Sequence, residues 1–193
     1  MCIRDRLWIY SIEDRKWVQI RENKPGIAPY PRNGQVLPIA RGEKSLLLSG
    51  IGSDTGIQRE HKARMGLPSA TDVGYFTWLR DAYILDWKTL KWQTILTPNH
   101  GSMRHEGAMG YLESMGMVLN WAGMIPSPEF GKEPVLVRQL SCWKLSEKNG
   151  FKNLEFGGDE PPLTGGYFQT LPGNNELLYI HSENIWKLTV YER

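Results

Sequence analysis

Cysteine is nearly missing from this sequence: Cys2 and Cys142 are the only two in 193 residues, which gives neither a disulfide framework nor a C-x-x-C metal or redox motif. An excess of one charge is missing too. The 23 Lys and Arg against 21 Asp and Glu leave a net charge of +2, too small a field to gather nucleic acid or an anionic membrane. No apolar run approaches the ~20 residues of a membrane-spanning helix. The sequence has no N-x-S/T sequon, G-x-G-x-x-G, phosphate loop or G-x-S-x-G elbow, and those omissions remove the commonest nucleotide-binding and hydrolase signatures. The four histidines, His61, His100, His105 and His181, form no H-x-x-x-H pair, so no metal is indicated. The expectation is a cytoplasmic protein with no cofactor and no nucleic-acid or membrane partner.

Aromatics and glycines are plentiful, and they recur in phase. In Asp81 to Trp92, DAYILDWKTLKW, Tyr83, Leu85 and Trp87 alternate with Ile84 and Asp86, the period of a strand. Lys88 to Leu90 turn the chain, and Trp92 and Thr94 start the return strand. Leu7 to Ile20 repeats the pattern at an offset of 75, with Trp8 for Tyr83 and Trp17 for Trp92. Ser141 to Leu154 fits at an offset of 59, with Phe151 for Trp92, and a further copy starts at Asn184, 43 positions after Ser141. The recurring aromatics Trp8, Trp17, Tyr83, Trp92, Trp143, Phe151 and Trp186 are expected in the core.

A second unit lies upstream of each hairpin. Gly34 to Gly50, Gly107 to Gly123 and Gly166 to Ser182 each span sixteen positions. Each holds a first strand, a turn with Gly42, Gly116 or Gly173, and an apolar run such as Leu46-Leu47-Leu48. Short apolar runs between turn signals read as buried strands. Each full repeat therefore supplies four strands, and the fold class is all-β.

These residues resemble the kelch repeat, a four-stranded propeller blade. The resemblance rests on Pro31-Arg32-Asn33-Gly34, Leu47-Leu48-Ser49-Gly50, Ala82-Tyr83-Ile84-Leu85-Asp86 and Trp92, and again on Arg104-His105-Glu106-Gly107, Trp121-Ala122-Gly123, Cys142-Trp143-Lys144-Leu145 and Phe151. It implies a partial kelch-type β-propeller of four-stranded antiparallel blades. Residues 1–6 resemble a translated sequencing adapter and are set apart as a non-native leader. Residues 7–20 then form the second half of a blade, 34–95 a blade with a long insertion at 51–80, 107–155 a blade, and 166–193 a blade without its last strand. That is about three blades, whereas closed propellers have about 4–8.

Function is expected on the loops of one face, where the insertions concentrate, because long structureless connections usually carry function. Arg59, His61, Lys62 and Arg64, followed by Trp78, offer charge-assisted donors beside an aromatic anchor for an acidic protein or peptide; a solvated charge run is the plainer account. Arg32 and Arg104, with His105, precede first strands near the centre of the ring. They either present guanidiniums to ligand carboxylates or bind nearby backbone carbonyls. The resemblance thus implies a protein-interaction scaffold without catalysis. The alternative is a piece of a propeller enzyme, a galactose-oxidase-like copper oxidase or a sugar epimerase. No residues here match the Tyr–Cys and histidine set of the copper family, and Cys142 reads as a core thiol.

Overall fold

The computed structural model describes residues 7–20, 29, 33–52, 72–73, 76–96, 104, 107–125, 133–147, 150–171 and 175–191. The chain is all-β, and its strands pair antiparallel throughout. A separate hairpin joins β1 (Leu7–Ser11) to β2 (Lys16–Ile20). The first large sheet takes β3 (Asn33–Ile39), β4 (Lys44–Gly52), β5 (Asp72–Val73), β6 (Phe76–Asp86) and β7 (Lys91–Leu96), with β3, β4 and β6 in line and β5 and β7 flanking opposite ends of β6. The central sheet is built from β8 (Ala108–Leu112), β9 (Met117–Trp121), β12 (Leu140–Lys144) and β13 (Lys152–Leu154) in that order, and the small pair β10 (Met124–Ile125) and β11 (Val135–Leu136) prolongs the connection between β9 and β12. The last sheet holds β14 (Tyr167–Thr170), β15 (Glu176–His181) and β16 (Asn184–Thr189).

The central sheet is covered on both sides, which explains why its strands read as unbroken apolar runs. Met109, Val118 and Trp143 point into one cluster with Ile39, Leu46, Leu48 and Ala82 of the first sheet. Their alternate neighbours, among them Leu112, Leu119 and Cys142, point into another with Leu177 and Tyr179 of the last sheet. First strands make the closest approach between sheets, with β8 packed against both β3 and β14. Gly110 permits that approach, since a Cβ there would sit 2.9 Å from both Leu177 Cδ1 and Phe168 Cβ.

Polar contacts put the three sheets in one orientation. At one end the Gln35 amide donates to the Gly107 carbonyl. At the other, the Arg41 N–H reaches Glu113 Oε2 at 3.3 Å and the Ser114 hydroxyl reaches Asn175 Oδ1 at 2.6 Å. The second strands therefore all end, and the third strands all begin, at the Gln35 end.

Three equivalent bonds correct the phase of the repeat. The amides of Trp87, Leu145 and Val190 donate to the carbonyls of Glu43, Gly116 and Asn175 respectively. Third strands are thus 58 positions apart between the first and central sheets and 45 between the central and last, not the 59 and 43 read from aromatic spacing. The 59 does hold on the return strand, where Phe151 lies beside Trp143 (5.7 Å) as Trp92 lies opposite Leu85. One extra residue between β12 and β13 accounts for the difference. The long insertion is also shorter at its base than 51–80 suggests, because β4 and β6 keep pairing out to Gly52 and Thr77 after a bulge beyond Leu48. The core expectation holds for Tyr83 and Trp143, each 1% exposed, but Trp8 is 38% and Trp17 65% exposed. Their hairpin pairs only with itself among the described residues.

Candidate functional site

The recognition residues expected on the insertion, Arg59, His61, Lys62 and Arg64, lie outside the described residues, as do Arg32 and His105. Trp78 falls on β6 opposite Ile51, and only its backbone is described. Arg104 is described in full.

Arg104 sits just before β8 and is buried. Its Nη1 donates to the carbonyl of Gln139 at 2.9 Å and reaches those of Asn120 and Ala122 at 3.4 and 3.5 Å; Nη2 donates to Gln139 Oε1 at 3.0 Å. The carbonyls converge because Ala122 and Gly123 turn the chain with φ of 54° and 104° after β9. The guanidinium is therefore committed to joining the end of β9 to the start of β12, as the backbone-holding account requires. Desolvation draws its pKa below the ordinary arginine value, yet a guanidinium remains protonated in proteins.

Asn120 completes this bracket. It is buried, its Oδ1 has no hydrogen-bond partner among the described residues, and a Cβ on Gly107 would come within 2.8 Å of that oxygen. Replacing Arg104 with lysine keeps the charge but loses the fork that spans three carbonyls. The expected cost is about 1–3 kcal/mol of stability, measured by urea unfolding; a neutral Arg104→Lys would show that the fork holds nothing.

Two depressions flank the segment that follows β13. One, about 480 Å³, lies at the loop end between Arg138, Gln139, Glu155 and Glu160, with Arg138 paired to Glu160 at 3.2 Å. Its charge is mixed, not basic. The other, about 340 Å³, lies between that segment and β16, lined by Trp121, Phe156, Tyr179, Trp186 and Leu188. Its floor is held by the Pro162 carbonyl, which accepts from Trp121 Nε1 at 3.0 Å and Tyr179 Oη at 2.8 Å.

Sequence reasoning gave no place to this second cleft, although the apolar Phe156 amid Gly157, Gly158 and Asp159 was a usable signal. Cys142 is buried, and desolvation raises its thiol pKa, the setting of an inert core cysteine. No group of metal-ligating side chains occurs among the described residues, and no described helix is long and apolar enough to cross a membrane. A scan against protein-family models gives no match to this chain, and a search of curated proteins finds no significant match.

Proposed function

We propose that this chain is a run of kelch-type propeller blades acting as a protein-interaction scaffold, which binds an acidic protein or peptide through the loops at one end of its sheets. The observation that supports this reading most is the common orientation of the three sheets, with first strands side by side. The described ends of β4 and β9 and the starts of β6 and β12 lie at one end of the sheets, and in this reading the loops between them form the recognition surface. A rigid stack that presents several connections together binds by surface complementarity and needs no reacting group.

Arg59, His61, Lys62 and Arg64 supply the charge in this reading, and Trp78 supplies the anchor. Reversing Arg59 and Arg64 to glutamate should weaken capture of protein partners from a lysate of the source cells at least tenfold while the melting temperature stays within a degree or two. Undiminished capture would remove the insertion from the recognition surface.

A further inference from the structure

We propose that the depression at the loop end of β12 and β13 binds a small zwitterion, an α-amino acid with an apolar side chain. Its lining runs from Arg138 to Glu160 and belongs to the central sheet and the segment that follows it. The ligand is a small molecule, whereas the loop insertion is proposed to take a protein or peptide.

The hollow exists because a ladder stops. β12 and β13 pair from Cys142 and Lys152 only as far as Leu140 and Leu154, and the chain then leaves through Gly158, whose φ of 99° suits glycine alone. The space left measures about 480 Å³, within the ~300–1,000 Å³ of small-molecule sites.

The two walls differ in chemistry. Donors stand on the β12 wall: the Arg138 guanidinium and the Gln139 amide. Arg104 fixes that amide from behind, because its Nη2 donates to Gln139 Oε1 at 3.0 Å and a guanidinium can only donate. The oxygen is thus spent, and Gln139 Nε2 keeps its protons with no partner among the described residues. Acceptors stand on the opposite wall, where Glu155 and Glu160 follow β13. Glu160 meets Arg138 at 3.2 Å with both side chains well solvated, a contact of little weight that a ligand can open. Glu155 has no ion-pair partner among the described residues.

A molecule carrying both charges exchanges that one weak contact for two. Its carboxylate takes the Arg138 fork and Gln139 Nε2, and its ammonium takes Glu155 and Glu160. A molecule with a single charge gains on one wall and strips a charge of its partner on the other. The charges that line or back the depression also cancel, Arg104 and Arg138 against Glu155 and Glu160, so a ligand of zero net charge matches it. Leu140, Leu154 and Phe156 supply the remaining lining. They suit an aliphatic side chain.

L-Leucine is the probe, titrated into the full chain by isothermal calorimetry. It should bind saturably at one site. Leucinamide, which lacks the carboxylate, and N-acetyl-leucine, which lacks the ammonium, should each bind at least tenfold more weakly. Arg138→Ala should lower the affinity for leucine by a similar factor with an unchanged melting temperature, since the pair it breaks is solvated. Absence of saturable binding at millimolar leucine would overturn the proposal. So would equal binding of either single-charge analogue, or undiminished binding to Arg138→Ala.

Discussion

Replacing Trp143 with alanine should lower the unfolding free energy by about 3–5 kcal/mol, a large share of the usual total of about 5–15 kcal/mol. The indole is 1% exposed and fills the space between the first and central sheets. Its Nε1 donates to the Glu147 carbonyl at 2.9 Å, closing the turn before β13, and its ring lies 5.7 Å from Phe151. Alanine thus removes packing on two sheets and leaves a part-buried carbonyl without its donor. The control is Trp17→Ala, at a site that shares the same repeated pattern but is 65% exposed; it should cost less than about 1 kcal/mol. Urea midpoints measured on both variants test the assignment, and equal losses would show that the indoles do not differ as their burial says.

Gly166→Ala should destabilise by about 3 kcal/mol, at the upper end of overpacking effects. A Cβ at this position would overlap the Tyr179 ring at Cζ and Oη. The ring cannot step aside. It is 2% exposed, its hydroxyl donates to the Pro162 carbonyl at 2.8 Å, and Phe168 and Trp186 meet it edge to face at 5.5 and 5.9 Å. Shortening the side chain should relieve the clash, so Gly166→Ala combined with Tyr179→Leu should be less destabilised than the sum of the single variants. Strict additivity would place the strain elsewhere than the ring.

The strands were legible because alternation and apolar runs come from burial, which the sequence encodes directly. Leu46 to Leu48 and Met117 to Leu119 read as buried strands, and they are second strands, the latter with a packed neighbour on each face. Equivalence between repeats was less legible, because an added residue in a turn between two strands changes spacing without changing the pairing of either strand. That is why Trp143 aligned with Ile84 by count but lies level with Leu85 by hydrogen bonding. Burial of Trp8 and Trp17 was unreadable for another reason: a repeat tells what a side chain could pack against, not whether that neighbour is there. The purpose of Arg104 was open between two accounts, since both ask for the same guanidinium before a first strand. Only the convergence of the Asn120, Ala122 and Gln139 carbonyls, which depends on the reversal at Ala122 and Gly123, separates them.

A ribbon sandwiched between two greasy neighbours faces a problem that a half-wet one avoids. Sliding β9 by one residue would exchange Val118 for Leu119, one aliphatic for another, and neither side would reach water. Hydrophobicity alone is then nearly blind to misalignment. What distinguishes the correct pairing is the small polar knot at one end of the strand, where the carbonyls of Asn120 and Ala122 must meet the Arg104 fork, together with the left-handed Gly116 at the other, with φ of 58°. The arginine thereby serves as an alignment pin for an otherwise featureless seam.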